Sequence, residues 1–529
     1  MKCTAAASSI STSSTYDVVV IGAGLGGLSA AALLANYGMR VCVCEAHSIA
    51  GGAAHAWERD GYTFESGPSL YSGIAERPSV NPLGQLLHAL DEELPCIEYS
   101  TWMCHLPEMG SFLTTIGDNG KQFASVLRKH RGDAAVREWE QLMEVMRPMS
   151  AAAGAVPPMA IRGDLGNLLT IGRCLPRFAG VDPRGVGSLL KPFSTVMDGV
   201  LRDQFLRDWL DMLCFLLSGR KADGTITAEI GFMFNEWYRP GAALEFPVGG
   251  SGAIVDALIR GLEKAGGRIM LSAPVDEILI EQGRACGVRL ARGRGELRAR
   301  KAVISNASIW DTVKLLHRES DASLLRPSAD ATSQCDSFMH LHLGIDATGL
   351  PDDLEIHHIG IDDWGRGVDS PLNLAVCSIP SVLDPSLAPP GKHVVHAYTP
   401  ATEPYSVWEG LSRSSEEYKA QKRERAEVLY SVIEKAIPDV RERVEVEMIG
   451  TPLTHSRFLH RDRGTYGGYG WVGSGSVAPS PTTPIDGLML VGDSSFPGPG
   501  VPAVAASGAI AANSLVSVAQ HYNVLSRIL

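Results

Sequence analysis

What this 529-residue chain lacks narrows its function before any motif is read. Basic residues are in the minority, 47 Lys and Arg against 59 Asp and Glu, for a net charge of −12. A phosphate backbone rewards clustered Lys and Arg, so nucleic acid is not expected as the main partner. The ten cysteines include no C-x-x-C pair and no zinc spacing, which argues for reduced thiols in a non-secretory compartment. Acids are missing from MKCTAAASSISTSST at the start, which is mostly Ser, Thr and Ala. That composition reads as a leader over 1–15, either a transit-peptide remnant or a flexible extension, and the want of an apolar h-region argues against secretion. From Ser494 to Ser526 there is no Asp, Glu, Lys or Arg. Length alone would allow a membrane span there, but its Ser, Gly, Ala and Pro content predicts a buried, closely packed helix instead.

What is present is concentrated at residues 17–45, DVVVIGAGLGGLSAAALLANYGMRVCVCE. Asp17 leads into the apolar run Val18–Ile21, which has the length and β-branching of a buried parallel strand. Gly22, Gly24 and Gly27 follow in G-x-G-x-x-G order, with Ala23, Leu25 and Gly26 between them. This pattern makes a tight turn, lets backbone approach a pyrophosphate, and packs helix on strand. The helix N-terminus then aims free N–H groups at the diphosphate. A second strand, Arg40 to Cys44, delivers Glu45, followed by Ala46, where an acid accepts from a ribose hydroxyl. Strand, glycines, helix, strand and acid in register predict an occupied dinucleotide site. Cys42 and Cys44 alternate along that strand as small hydrophobes.

Downstream, Gly51 and Gly52 lie in a loop, and a hairpin is expected around Asp60-Gly61. A helix-rich stretch follows over roughly 80–240, broken by prolines. At Phe246 the pattern returns to α/β: a helix with Ile254, Val255, Leu258, Ile259 and Leu262 on one face, then strands at 268–271, 275–278, 287–290, 296–300 and 302–305. Residues 312–455 form a second excursion, with strands at 339–343, 394–398 and 444–449 and a charged helix over about 416–437. The expected fold class is α/β. A Rossmann-type nucleotide domain, discontinuous in sequence (16–79, 246–311 and 456–529), carries an inserted α+β substrate domain (80–245 and 312–455).

Near the C-terminus, the apolar strand Leu488–Val491 ends in Gly492-Asp493. Gly498, Gly500 and Ala503 then open the last uncharged helix. In a nucleotide fold this places a second helix N-terminus near the cofactor. Were that cofactor a flavin, the helix would stabilise the negative charge gained on reduction, and Asp493 would accept from ribityl hydroxyls.

Several segments together carry a family resemblance: Gly51-Gly-Ala-Ala-His55, Tyr62–Leu70, Phe246-Pro-Val-Gly-Gly250, Thr451–Phe458, Gly464-Thr-Tyr-Gly467 and Gly492–Gly498. Over nearly its whole length the chain resembles the FAD-dependent carotenoid isomerase and phytoene desaturase group, and most of all the carotenoid isomerase-like branch of plants and algae. The resemblance implies an amine oxidase/phytoene desaturase-like fold with FAD as cofactor. It implies that Gly22, Gly24 and Gly27 cradle the pyrophosphate and that Glu45 binds the adenosine ribose. Gly51, Gly52 and Ala53 would approach the phosphates, and Val275 would hold the adenine through its main chain. Gly492, Asp493 and the turn Val501, Pro502 and Ala503 would meet the flavin. Two departures stand out: Ala53 replaces a commonly basic or polar residue, and Gly468 a commonly occurring proline.

The expected reaction is isomerisation of a carotenoid polyene, with desaturation, saturation or redox-silent hydration as alternatives and the electron partner open. Glu65 is the candidate catalytic acid, although a structural acid bonding a backbone turn is the favoured reading of it. The substrate implies an apolar tunnel opening at a peripheral membrane-contact surface, placed at 185–217, and the expected location is the plastid. No metal site is expected. His340 and His342 share one side of a strand, but no carboxylate or third histidine stands at a supporting spacing, and His357-His358 is read as a loop pair. His455, Arg457, His460, Arg461 and Arg463 form a basic cluster that is either a salt-bridged loop or a contact for cofactor phosphate or lipid headgroups. Gly468–Gly473 spells a second G-x-G-x-x-G but leads into polar loop, so no second nucleotide site is expected.

Overall fold

The apolar run Val18–Ile21 lies at the centre of a seven-stranded sheet in the computed structural model, which describes residues 13–67, 69–179, 181–469 and 480–528. The first strand is Ser13–Ile21, and Ser13, Ser14 and Thr15 pair in parallel with Glu296, Leu297 and Arg298. Residues 13–15, expected to belong to a leader over 1–15, are thus part of the sheet; residues 1–12 lie outside the described residues. The strand order is Arg268–Met270, Val41–Cys44, Ser13–Ile21, Glu296–Ser305, Arg284–Leu290 and Val275–Glu281. The runs expected at 296–300 and 302–305 form one strand with two partners on its second side. Residues 296–298 pair with the antiparallel meander, whereas Val303–Ser305 pair in parallel with Leu488–Leu490.

Both sides of this sheet are covered. Val18, Val20, Val41 and Val43 face the helices Leu25–Asn36, Ser251–Lys264 and Val501–Ser514, while Val19, Ile21, Cys42 and Cys44 enter a second core with Ile309 and Leu325. That two-sided burial is why the strands read as continuous apolar runs. The uncharged C-terminal stretch contains the helix Val501–Ser514, packed on Leu25–Asn36, and most of a second, Val518–Ile528. A Cβ at Gly508 would lie 2.8 Å from the Ala30 nitrogen, so small residues are required at this crossing.

A second seven-stranded sheet follows the order Val444–Gly450, His340–Asp346, Lys392–Tyr398, Leu374–Ser378, His357–Ile361, Thr101–Leu106 and Gly110–Thr115. The helix Glu416–Ala436 closes one face through Leu429, Val432 and Ile433. A helical cluster built on Trp102, Phe123, Trp139 and Trp209 closes around the far end, with Phe123 and Trp209 stacked at 4.5 Å.

Three expectations are corrected. The stretch 80–240 is not only helical, because Cys96–Tyr99, Thr101–Leu106 and Gly110–Thr115 are strands, the last two extending the second sheet. His357 and His358 lie in a strand, not a loop. Much of the stretch 185–217, expected to meet a membrane, is turned inward: the helix Gln204–Ser218 buries Phe205, Trp209, Leu210 and Leu213. Exposed apolar side chains include Leu165 at 89%, Leu168 at 77% and Leu175 at 65%, before that stretch, and Leu190 at 58% within it. Among the described residues, no helix is long and apolar enough to cross a membrane.

Candidate active site

A cavity of about 930 Å³ starts at the glycine turn and continues between the two sheets. Gly22, Gly24, Leu25, Gly26, Glu45, Ala46, Gly51, Gly52, Ala53, Val275, Gly492, Asp493, Val501 and Pro502 all line it. Ala23, Gly27, Ala503 and Glu65 are not on its wall. Ala23 spends its backbone inside the protein, donating to Glu45 Oε2 at 2.7 Å and accepting from the Gly51 N–H at 2.8 Å. Gly27 sits beneath the Gly22 carbonyl, so its lack of a side chain serves helix packing.

Glu45 is nearly buried at the end of its strand. Its other oxygen accepts from the His47 N–H at 2.7 Å. Two backbone donors fix the carboxylate at the cavity edge, and each oxygen keeps a lone pair for a hydroxyl donor. Sequence reading missed Asn306, which follows the central strand and covers the glycine turn. A Cβ on Gly24 would fall 2.6 Å from Asn306 Nδ2, and one on Gly26 would fall 2.7 Å from Oδ1. The turn is thus a cradle with no room for side chains, as a bound pyrophosphate requires.

Across the cavity, Gly500 caps the helix Val501–Ser514, whose N-terminal turn lines the wall. Asp493 pairs with Arg461 Nη1 at 2.5 Å, and Arg461 also donates to the carbonyls of Thr465 and Tyr466. Of the basic cluster, His455, His460, Arg461 and Arg463 line the cavity, whereas Arg457 stacks on Phe458 instead.

The far limb of the cavity is apolar. Leu213, Leu216 and Leu217 enter from Gln204–Ser218, and Phe232, Met233 and Trp237 from Thr227–Tyr238. Glu236 shares that helix face and also lines the limb at 2% exposure. Burial first, and the neighbouring Glu76 second, push its carboxyl up to about 7. Only the cavity could reveal this acid, since in sequence it is one glutamate on an amphipathic helix. Glu65 is also pushed up to about 7 by burial, but it accepts from the Ser251 N–H and borders a separate void of about 10 Å³. That geometry matches the structural role favoured for it.

The histidines are brought together by strand register. His396 lies directly opposite His342 in the antiparallel pair. His340 Nδ1 is 2.8 Å from His396 Nε2, and His340 Nε2 is 2.6 Å from His455 Nε2. Burial holds His340 and His342 well below the ordinary imidazole range and His396 at about 3, so all three are neutral at physiological pH. The third histidine that spacing did not supply comes from a strand more than fifty residues away.

A glycine cradle, an acid at the end of the second strand and a facing helix N-terminus define a dinucleotide flavoprotein with an adjoining apolar chamber. The chain belongs to the flavin containing amine oxidoreductase family, whose pattern matches residues 25–516, and its cofactor is FAD. Within that family it is 35% identical to prolycopene isomerase 2, chloroplastic, of an Oncidium hybrid cultivar, over 95% of this chain and 84% of that protein. It is 27% identical to the lycopene-forming phytoene desaturase of Pseudescherichia vulneris, over 94% of this chain and 98% of that one. Its fold resembles that of an oxidoreductase from Methanosarcina mazei, with a TM-score of 0.58 at 20% identity, covering 93% and 98% of the two chains.

Proposed function

We propose that this FAD-dependent enzyme acts on a carotenoid-like polyene and that its reaction is cis/trans isomerisation. The observation that carries this reading is the continuity of the cavity, from the glycine cradle into a limb walled by leucine, phenylalanine, methionine and tryptophan. A long neutral polyene gains by burying its surface there, at about 25 cal/mol per Å². The likeness to prolycopene isomerases over nearly the full chain supports the choice of reaction.

In this reading Gly22, Gly24 and Gly26 take the pyrophosphate, Glu45 the ribose, Val275 the adenine and the Val501-Pro502 turn the flavin. The nucleotide domain is then 16–79, 246–311 and 456–529. Bound FAD supplies a ring able to lend and recover electron density, or to accept a hydride. Leucine and aromatic side chains exclude water and align the chain of double bonds. Burial keeps the Glu236 carboxyl partly protonated at neutral pH, placed to give a proton to a polyene carbon and take it back. Desaturation, the alternative that the likeness to phytoene desaturases supports, would use the same wall with Glu236 as base and needs an external electron acceptor.

The exposed Leu165, Leu168, Leu169, Leu175 and Leu190, with the exposed Arg173, Arg177 and Lys191 near them in sequence, are the proposed membrane-contact residues. An apolar patch rimmed by basic residues suits insertion at a lipid headgroup boundary. The chloroplastic relatives support a plastid location.

The test is anaerobic incubation with poly-cis carotenoids, using oxidised and chemically reduced enzyme separately. Turnover confined to reduced enzyme, with no mass change, is the expected outcome. Loss of two mass units selects desaturation, and no conversion of any polyene in either state removes the reading.

A further inference from the structure

Beside the proposed cofactor and polyene chamber lies a group of side chains that the function above does not use. His340 and His342 come from one strand and His396 from its neighbour. Each offers one ring nitrogen, and these nitrogens lie within 4.8 Å of one another. All three residues are at least 94% buried. Among the described residues His342 Nδ1 has no hydrogen-bond partner, and a buried imidazole nitrogen without a partner is costly. Trp57 and Phe64 pack edge-to-face with its ring at centroid distances of 5.0 and 6.0 Å.

We infer that His340, His342 and His396 form a metal site for one borderline first-row cation such as Zn²⁺. Three neutral imidazoles prefer such ions to Mg²⁺ or Ca²⁺, which require oxygen ligands. Tetrahedral ligation at 2.0–2.1 Å sets nitrogens about 3.3 Å apart. His340 Nδ1 and His396 Nε2 meet at 2.8 Å, so loading parts them by about 0.5 Å and turns the His342 and His396 rings, stacked at 4.4 Å, until their lone pairs converge.

The surroundings support the ligand set. In the tautomer that would bind metal, His340 donates its Nε2–H to His455 Nε2, 2.6 Å away, which leaves Nδ1 as the lone-pair nitrogen and fixes the ring. Outer partners of this kind orient metal-binding histidines. Loading moves the His396 proton from Nε2 to Nδ1, with no net proton release. His340 and His455 line the large cavity, and His396 lines the small void behind it. A bound ion would therefore stand in the wall between them, with its fourth position turned to the chamber as an open site.

The test uses flavin-loaded, full-length enzyme, stripped with chelator and titrated with Zn²⁺ or Co²⁺. Wild type is expected to retain one equivalent after gel filtration, and the cobalt form to show the visible d–d bands of a four-coordinate ion. His342→Phe should lower affinity at least a hundredfold while keeping its flavin and melting temperature. His455→Gln, which alters only the outer partner, should lower it ten- to a hundredfold. Metal retained equally by wild type and both variants overturns the site, as does wild type retaining none. If His342→Phe fails to fold, the His455→Gln affinity and the cobalt spectrum decide. The readouts are metal content and spectrum, so they stand apart from polyene turnover.

Discussion

Replacing Glu236 by glutamine should make the enzyme more heat-stable in alkaline buffer and no more stable in acid. Glu236 is 2% exposed and holds its proton to about pH 7, against an ordinary value of 4.5. Below pH 4.5 the carboxyl is protonated in both the folded and the unfolded chain, so it gives no pH-dependent penalty. As pH rises from 4.5 to 7 the unfolded chain releases the proton while the fold retains it, and stability falls throughout that window. Above pH 7 the full cost is present, about 3 kcal/mol. Glutamine has no proton to lose, so Glu236→Gln escapes this cost. For a chain of this size, 3 kcal/mol corresponds to about 3 °C in melting temperature. Differential scanning fluorimetry at pH 4.5 and pH 8 measures the difference, with the wild-type and variant curves diverging only at the higher pH. A gap of equal size at both values would refute the buried-carboxyl argument. The same ionisation should appear in the kinetics as a fall in wild-type turnover above about pH 7, and the glutamine variant should lack turnover throughout.

Glu45→Ala strands the Ala23 N–H and removes the proposed ribose acceptor, so FAD should dissociate roughly ten- to a hundredfold more readily, as read by flavin fluorescence. Arg461→Met leaves the Asp493 carboxylate without its cation and should cost about 3–5 kcal/mol in thermal unfolding, partly restored by adding Asp493→Asn; no recovery in the double variant would separate the two residues. Leu168→Asp with Leu169→Asp should abolish flotation with anionic liposomes while leaving the flavin spectrum unchanged, and undiminished flotation would place the membrane surface elsewhere.

The parts legible in the sequence are those where one stretch of chain contains the whole signal. Residues 17–45 spell strand, turn, helix, strand and acid without a break, and Gly492–Ala503 does the same for the facing helix. Both reach the cavity, although Ala23, Gly27 and Ala503 are not on its wall. The strands at 101–115 were hidden among helices, because their partner strand, His357–Ile361, lies some 250 residues later. His396 was invisible as a companion of His342 for the same reason: register, not spacing, sets them opposite. Glu236 and the exposed leucines were unmarked because a helix states which residues share a face, not what that face meets.

The shared partnership of the strand Glu296–Ser305 has a consequence for synthesis. Its second half lies between Val18–Ile21, made near the start of the chain, and Leu488–Leu490, made near the end. A nascent polypeptide leaving the ribosome therefore presents an unpaired parallel edge for nearly two hundred residues, a surface on which stalled or shortened chains would aggregate. With the flavin held as proposed by Gly492–Pro502, its capture waits until that segment has emerged.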